Sequence, residues 1–230
     1  PAQLFFILAG LAQQGVKVQT IAPKFTGSFL KGIDYVGSVE TFSKEFEEDL
    51  LVIAQAVKTF DLPKNLKLSV HSGSDKFSLY PIIHRAIKKH NAGLHLKTAG
   101  TTWLEELIGL AMAGGAGLDT AKQVYVKAYE RIDEMCKPYE AVIAIDRSKL
   151  PDPHTVLAWS GDDYANALRH NQKDPRYNLH FRQLLHVGYK VAAEMGDSYL
   201  QMLKDSKEII GRNVTENLFD RHIKAIFLGS

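Results

Sequence analysis

The chain has 230 residues, 45% of them hydrophobic, so it can bury a core of the size that one domain needs. Its 28 basic and 26 acidic residues leave a net charge of +2 and are scattered along the sequence, which gives no electrostatic case for binding nucleic acid or an acidic membrane. A single cysteine, Cys136, excludes an intrachain disulfide framework.

Neither a membrane span nor a signal peptide is visible in the sequence. No run of residues approaches the roughly 18 consecutive apolar positions of a transmembrane helix, and no basic stretch precedes the apolar start. We therefore expect a cytoplasmic protein. The sequence opens with PAQLFFILAGLAQQG, inside a predicted core-facing helix and without an initiator methionine, so we expect a piece of a longer chain.

The predicted elements begin with alternating helices and strands. Residues 2–14 predict a helix, VKVQTIAPKF predicts a strand, and residues 39–60 carry apolar side chains at helical spacing. Two further strands are predicted, LKLSVH and AGLHLKTA, followed by the helices FSLYPIIHRAIKKHN and TTWLEELIGLAMAG. Thr101 or Thr102 is a candidate N-cap for the second of these helices.

The remainder of the chain is predicted to be mostly helical. A helix over residues 118–135 precedes YEAVIAIDRS, which is the fourth strand candidate. Residues 147–177 are rich in Pro, Asp and Asn and predict an irregular segment. From Asn178 onward the pattern is helical, with breaks expected at Gly196 and Gly211.

Alternating strands and helices are typical of an α/β protein with a parallel sheet. Within that class, the strand KLSVH places Leu68 and Val70 on one face and Ser69 on the other. A polar face beneath helices would be costly, whereas one that faces a barrel lumen can hold a ligand, a metal or water. This favours a (β/α)8 TIM-like barrel over an open doubly wound sheet. We therefore predict the C-terminal half of a barrel, with βα units over 1–150, and an irregular loop with C-terminal helices over 151–230 packed on the same domain.

Cations and imidazoles lie at three predicted strand ends, in IAPKFTG, SVHSGSDKFS and HLKTAGTT. In parallel α/β folds the active site gathers where strands end and loops begin. The side chains that would converge there are Lys24, His71, Asp75, Lys76, His95 and Lys97. Their convergence predicts a site for an anionic or metal-bound ligand.

A structural role is open for several of these side chains. His71 alone is as well explained as a hydrogen-bonded core histidine, Lys76 as a solvated turn residue, and Asp75 as the N-cap of the helix that follows. Lys97 is harder to explain structurally, because it lies in a strand that should be buried and needs a counter-charge there.

A second polar set lies in YNLHFRQLLHVGYKVAAE. Arg182 and His186 are four residues apart and share one helical face, which could equally be solvated. Arginine suits a bidentate grip on a carboxylate, and neutral histidine is a common metal ligand. Lys31 and Asp34, in the loop TGSFLKGIDYVGS after the first strand, are further candidates. The sequence has no HExxH, CxxC, P-loop, GxGxxG or GxSxG motif for protease, nucleotide or serine-hydrolase chemistry.

Four long stretches carry a family resemblance: SGSDKFSLYPIIHRAI, LHLKTAGTTWLEELIGLA, LHFRQLLHVGYKVAAEMG and ENLFDRHIKAIFLG. Together they resemble the tagaturonate epimerase family of bacterial hexuronate catabolism, whose members are longer, so this chain resembles their C-terminal half. The resemblance implies an isomerase that interconverts D-tagaturonate and D-fructuronate, keto sugar acids, with a divalent metal cation such as Mn, Co, Ni, Zn or Fe. It also implies the N-terminal half as a partner, and it is compatible with a homo-oligomer.

The chemistry of this epimerisation favours cleavage of a carbon–carbon bond. The inverted carbon lies β to the ketone, so enolisation would act at the wrong atom. Retro-aldol cleavage, rotation of the aldehyde and re-addition would give the epimer. A hydride shuttle is the alternative, but the dinucleotide motif that would support it is absent.

Roles for the candidate residues follow from this chemistry. His71 and His186 are the candidate metal ligands, and Asp75 and Lys97 the catalytic candidates, with Asp75 as the base. The candidate substrate-binding residues are Lys24, Lys31, Asp34, Lys76, His95 and Arg182. Two alternatives stay open: a Schiff-base aldolase of sugar acids that uses Lys97 or Lys24, and a non-catalytic sugar-acid-binding domain.

Overall fold

The structure, a computed structural model, describes residues 1–71, 74–97 and 100–229, and of His71 it describes the backbone alone. The first part of the chain alternates helices and strands. Its elements are α1 (Ala2–Gln13), β1 (Thr20–Ile21), α2 (Val39–Phe60), β2 (Lys67–His71), α3 (Tyr80–Lys89) and β3 (Leu94–Lys97). The prediction of alternating elements is confirmed here, because β2, β3 and the helices after them lie where the periodicity places them.

The strands form one parallel sheet in the order β1-β2-β3. Thr20 lies opposite Lys67, and His71 lies opposite Lys97 at the carboxyl ends of β2 and β3. Strands that are neighbours in both sequence and space are expected of successive βα units. The chain therefore has a mixed α/β fold with a small parallel sheet.

Two strand predictions were wrong. The first strand is only two residues long, Thr20–Ile21, instead of the predicted VKVQTIAPKF. The predicted fourth strand begins as a short 3-10 helix, Lys137–Val142, and continues without pairing to the sheet. Its backbone instead bonds to side chains: the Ala144 N–H donates to Gln183 Oε1 at 3.1 Å. An apolar run forms a strand only where a neighbouring backbone completes its ladder.

The long helix α2 shows why this part of the sequence predicts its structure well. Ser38 is the N-cap, and its hydroxyl accepts a hydrogen bond from the Thr41 N–H at 3.1 Å. Phe42 and Phe46 lie one helical turn apart on the buried face, both fully buried. Asp61 ends the helix in the left-handed conformation. Capping and apolar periodicity are local signals, so the sequence alone predicts both ends of the helix.

The second part of the chain is helical. Its helices are α4 (Thr101–Ala113), α5 (Gly115–Glu130), α6 (Ile132–Cys136), α7 (Pro153–Ala158), α8 (Gly161–Leu168), α9 (Leu179–Val187), α10 (Tyr189–Met195), α11 (Asp197–Asp205), α12 (Lys207–Thr215) and a π-helical segment, Glu216–Leu228. The predicted break at Gly196 is confirmed, but Gly211 lies inside α12 and the chain breaks at Ser206 instead. Gly100, not Thr101 or Thr102, is the N-cap of α4.

Apolar side chains form two clusters that divide near residue 100. The first cluster covers one face of the sheet and includes Leu68, Ile83 and, from the far end of the chain, Ile226. The second cluster lies among the helices that follow, around Leu107 and Phe181. Among the described residues, no helix combines the length and the apolar character needed to cross a membrane.

The two faces of the sheet differ in polarity and burial. Leu68 and Val70 are buried against the first apolar cluster. On the opposite face, Ser69 Oγ lies 2.6 Å from His95 Nδ1, and both His95 and Lys97 are exposed. A sheet with apolar side chains on one face and polar ones on the other is what the alternation in KLSVH and LHLK predicts.

Candidate functional site

Two cavities lie beside the loop that follows β1, close to the carboxyl ends of the strands. One, of about 520 Å³, is lined by Lys31, Gly100, Trp103, Glu106, Tyr139, His186, Tyr189, Ala192, Ala193, Tyr199, Leu200 and Leu203. The other, of about 530 Å³, is lined by Pro23, Lys24, Phe25, Gly27, Ser28, Phe29, Leu30, Val70, Ala141 and Val142. We call these the Lys31 cavity and the Lys24 cavity. Each contains at least one predicted substrate-binding residue.

The Lys31 cavity combines a cation with aromatic walls. Lys31 is half-buried, and its Nζ lies 4.7 Å from the centre of the Tyr139 ring. Burial lowers the pKa of Lys31; Tyr189 raises it, and the positive charge of Lys97 lowers it further. Lys31 and Lys97 therefore lie close enough for their charges to interact.

His186 lines the same cavity, at the end of α9. It is 5% exposed, and its ring packs against Gly100, where a methyl group would lie only 2.5 Å from Nε2. Gly100 has a φ of +92°, which glycine adopts without strain. The close approach places the start of α4 directly beside the imidazole, and the prediction of His186 at the site is compatible with this position.

Asp75, the predicted base, is fully buried. Its Oδ2 accepts a hydrogen bond from Arg182 Nη2 at 2.8 Å and lies 3.2 Å from His170 Nδ1. Its Oδ1 accepts from Thr101 Oγ1 at 3.0 Å and lies 3.3 Å from His222 Nε2. Burial would raise the pKa of Asp75, but Arg182 and the two histidines hold it well below its usual value. This carboxylate is a poor base, and it is not an N-cap either.

Lys76 is also fully buried, so the alternative of a solvated turn residue was wrong. Its Nζ donates to the carbonyl oxygens of Ile33 at 2.7 Å and Leu30 at 3.1 Å, and to Ser74 Oγ at 2.9 Å. Burial lowers the pKa of Lys76 to about 7, while the carboxylates of Asp75 and Asp34 raise it. No face of this ammonium is left open to a substrate.

Arg182 is the third predicted contact that proves to be buried. Its three guanidinium nitrogens each donate one bond: Nε to the Gly32 carbonyl at 2.6 Å, Nη1 to the Leu168 carbonyl at 2.7 Å, and Nη2 to Asp75. A guanidinium with this set of partners is satisfied inside the protein. It does not grip an external carboxylate in this structure.

The remaining predicted residues take different positions. Asp34 is half-buried and accepts hydrogen bonds from the Ser78 N–H at 3.1 Å and from Ser78 Oγ at 2.9 Å. It therefore binds the turn before α3, which is the structural role that the sequence offered for Asp75. Lys24 is exposed and lines the Lys24 cavity. His95 is exposed on the polar face of the sheet. The His71 side chain lies outside the described residues.

The described residues do not by themselves fit a metal ion. Among them, no three His, Cys, Asp or Glu side chains are grouped to hold one. Of the two predicted ligands, the His186 ring is in place beside the cavity, and the His71 ring lies outside the described part of the chain.

Several residues of this region were not predicted from the sequence. His170 and His222 join Asp75, and Gln183 binds the Lys31 carbonyl through Nε2 at 3.0 Å. Glu106 lines the Lys31 cavity, and burial raises its pKa. No local pattern distinguishes Glu106, because Glu105 lies in the same helical turn and does not line the cavity.

Comparison with known families points to a class of protein, the carbohydrate epimerases, which are isomerases. The family model for tagaturonate epimerase, UxaE, matches residues 1–226. The chain therefore belongs to the tagaturonate epimerase family, and the resemblance noted in the sequence is confirmed.

Individual relatives give the same assignment. The chain is 29% identical over 222 residues to the tagaturonate/fructuronate epimerase of Thermotoga maritima, covering 95% of this chain and 40% of that protein. It is similar to the native crystal structure of fructuronate-tagaturonate epimerase UxaE from Cohnella laeviribosi, with a TM-score of 0.74, 25% identity, and coverage of 98% of this chain and 42% of the other. A glycerol complex of the same enzyme matches with a TM-score of 0.70 at 25% identity, covering 94% of this chain and 41% of the other. The chain thus spans about two-fifths of the length of these relatives.

Proposed function

We propose that this chain forms part of an enzyme that interconverts D-tagaturonate and D-fructuronate. The observation that carries the proposal is the family match over residues 1–226, which includes every residue of the Lys31 and Lys24 cavities. A cytoplasmic location stays a prediction.

We also propose that the βα units belong to a TIM-like barrel completed by further sequence of the family. Three features support this: the strands follow one another in chain order, they are parallel, and apolar packing covers one face of the sheet. The other face presents His95 and Lys97. Parallel sheets are normally covered on both faces, and in a barrel the second face points inward.

Binding of the substrate is assigned to the Lys31 cavity. A hexuronate carries one carboxylate and several hydroxyls, so it needs a cation at one end and polar or aromatic surfaces along its length. Lys31 supplies positive charge, to which the nearby Lys97 adds, and Tyr139, Tyr189 and Tyr199 supply aromatic surface with hydroxyl groups. Aromatic side chains with polar tips suit sugar rings or chains that have both apolar C–H and polar O–H groups.

The reaction is proposed to be a retro-aldol cleavage followed by re-addition. A base takes the proton of the hydroxyl on the carbon β to the ketone. The bond between the α and β carbons breaks, its electron pair forms an enediolate, and the β carbon becomes an aldehyde. The aldehyde rotates, the enediolate attacks its other face, and the new alkoxide recovers the proton. Atoms and electrons balance without an external oxidant, which fits the lack of a dinucleotide motif.

The proton transfers need a base that can reach the substrate. Asp75, the base predicted from the sequence, is poorly placed because Arg182, Thr101 and two histidine rings surround it and its pKa lies well below the usual value. Glu106 is the carboxylate that lines the Lys31 cavity, and burial raises its pKa against the lowering influence of a hydrogen bond with Tyr199. We therefore assign the base to Glu106 and keep Lys97 as the second catalytic candidate.

A divalent cation remains part of the proposal. When bound, it would stabilise negative charge on the ketone oxygen during cleavage. In this chain His186 could contribute one ligand, together with the His71 side chain, and the other ligands would come from the rest of a family-length protein. Removal of divalent metals with a chelator, followed by addition of one metal at a time, should abolish and then restore activity.

Labelled substrate tests the bond-breaking step. A family-length enzyme that carries this sequence is given tagaturonate with deuterium on the inverted carbon. Retro-aldol chemistry predicts fructuronate that keeps the deuterium, with a carbon isotope effect at the broken bond and no primary deuterium effect. Exchange of deuterium with solvent, or a primary deuterium effect, would contradict it. Failure to form fructuronate would remove the proposed function itself.

A Schiff-base aldolase is the second candidate, and one observation favours it. Burial and the charge of Lys97 both lower the pKa of Lys31, and a lysine beside another cation is a known way to prepare an imine-forming amine. Borohydride added with substrate would then leave a covalent adduct on a lysine, detectable by mass spectrometry. No adduct, with activity lost on chelation, would exclude this candidate.

A further inference from the structure

The tip of the loop after β1 is held by buried side chains at four successive carbonyl groups. Lys76 Nζ donates to the carbonyls of Leu30 and Ile33, at 3.1 and 2.7 Å. Gln183 Nε2 donates to the Lys31 carbonyl at 3.0 Å, and Arg182 Nε donates to the Gly32 carbonyl at 2.6 Å. Loops usually leave such groups to water. Here the backbone around Lys31 is fixed from inside the protein.

Lys76 is the central donor of this arrangement. Its ammonium has three N–H groups and four oxygen atoms within 3.3 Å, from Leu30, Ile33, Ser74 and Asp75. Burying a charged group costs several kcal/mol unless such bonds replace the water that it loses. The side chain is fully buried, so it does not touch a ligand. Its effect on any ligand must therefore act through the loop that it binds.

Other contacts fix the same loop. Its base is closed by a bridge between Ser28 and Val36, and the Lys31 N–H donates to the Val142 carbonyl at 2.8 Å. Gly32 has a φ of +78°, and a methyl group there would lie 3.3 Å from the Arg182 carbonyl oxygen. The loop tip therefore packs closely on α9, the helix that also carries His186.

What this loop presents to the Lys31 cavity is the side chain of Lys31. From the contacts above, we propose that Lys76 is a positioning residue, which holds the backbone of residues 30–33 so that the Lys31 ammonium has a fixed place in the cavity. Arg182 and Gln183 assist it at the two central carbonyls. This inference rests on the proposed function in one respect: it takes the ligand of the Lys31 ammonium to be the carboxylate of a hexuronate.

The first test measures the loop itself and needs no activity. In a family-length enzyme, Lys76→Met keeps the length of the side chain and removes the ammonium. We expect hydrogen exchange of the amides in residues 28–36 to become at least about tenfold faster, because their local opening loses its buried anchor. Lys64→Met makes the same chemical change at an exposed position and should leave this exchange unchanged. Unchanged exchange in Lys76→Met would overturn the proposal.

The second test asks whether Lys76 acts through Lys31. Lys76→Met and Lys31→Met should each raise KM for tagaturonate about tenfold or more. In the double variant, Lys76→Met should add almost nothing, since the amine that it positions is gone. Fully additive effects would show a role unrelated to Lys31 and would overturn the proposal.

A milder variant keeps the proposal testable if Lys76→Met does not fold. Gln183→Met removes the bond to the Lys31 carbonyl without burying an unpaired charge. It should speed hydrogen exchange of the amides in residues 28–36 and raise KM for tagaturonate. In an enzyme that already carries Lys31→Met, it should leave KM unchanged. A Gln183→Met enzyme with normal exchange and normal KM would contradict the proposal. Lack of epimerisation in the unchanged enzyme would defeat only the proposed function, because the exchange measurement stands without it.

Discussion

Two groups of charged residues in this region differ in burial and in the atoms that they contact. The first group, Asp75, Lys76 and Arg182, is fully buried. Arg182 donates a hydrogen bond to Asp75, and Lys76 donates to the Ile33 carbonyl. In the second group, Lys31 lines the Lys31 cavity and Lys97 is exposed, so a ligand can contact either side chain. A position at a strand end brings a residue near the site but does not decide whether it contacts substrate. Burial and the number of internal partners decide that.

The energetic difference between the groups is large. A buried charge that loses its partner stays unpaired in a medium of low polarity, whereas an exposed charge regains water. Substitutions in the buried group should therefore lower stability. Substitutions in the accessible group should lower activity and leave stability nearly unchanged.

The largest expected effect is that of Asp75→Asn. It removes the negative charge that faces Arg182, and we expect the free energy of unfolding in urea to fall by on the order of 3–5 kcal/mol. Acid should also lower the stability, because the pKa of Asp75 is lower in the folded than in the unfolded protein. The stabilisation by ionised Asp75 is complete above the pKa of the unfolded state. It is lost as the pH falls through the pKa of the folded state.

The matched control for this change is Asp61→Asn. Asp61 is exposed at the end of α2 in the left-handed conformation, which asparagine also adopts readily. We expect a change within about 0.5 kcal/mol. If Asp75→Asn were no less stable than this control but inactive, Asp75 would be catalytic, and the division between the two groups would fail.

The next largest effect is expected at Glu105, where removal of a charge should raise the free energy of unfolding instead of lowering it. Burial raises its pKa to about 7, against the lowering influence of Arg182, and its Oε1 accepts a hydrogen bond from Asn217 Nδ2 at 3.0 Å. Because the folded pKa exceeds the usual value of 4.5, stability should fall as the pH rises from about 4.5 to about 7. Glu105→Gln keeps the acceptor and removes the charge. At pH 8 it should therefore raise the free energy of unfolding by about 3 kcal/mol.

The control for Glu105 is the same substitution at Glu130, an exposed residue at the end of α5. Unfolding free energies of both variants, measured by urea titration between pH 4.5 and 8, complete the test. Equal pH slopes in Glu105→Gln and the unchanged protein would show that Glu105 does not titrate in this range.

A smaller effect is expected from Gly100→Ala. The positive φ of Gly100 and the 2.5 Å approach of a methyl group to His186 Nε2 should together cost about 2 kcal/mol and displace the imidazole. Thermal unfolding and turnover should both decrease. Gly10→Ala is the control: Gly10 lies in α1 with open space around it, so this variant should be slightly stabilised. A normal Gly100→Ala enzyme would show that the contact with His186 is unimportant.

The sequence predicts the parts of the fold that depend on local signals. Helix α2 is predicted from its apolar spacing, and β2 and β3 from their alternation, because these periods are properties of short segments. The predicted fourth strand fails for a different reason. Its apolar residues suit a strand, but whether a neighbouring backbone is available depends on the whole fold, and here Gln183 binds the backbone instead.

The site is predicted less well, because its contacts join distant parts of the chain. Asp75 meets His170 and Arg182 across 95 and 107 residues, and no local pattern indicates those partners. Lys97 ends β3 and Lys31 lies in the loop after β1, as the sequence indicates, and their roles at the site stay predictions. The family resemblance indicated the enzyme class, but the division between supporting and accessible residues required the structure.

Lys97→Met in a family-length enzyme tests the central division most directly. Lys97 is exposed at the end of β3, so the free energy of unfolding should change by less than about 0.5 kcal/mol. Loss of a charged contact to the substrate should lower kcat/KM for tagaturonate by about 10- to 100-fold. We expect both results together in one preparation. An unchanged kcat/KM, or a loss of activity that only follows unfolding, would contradict it.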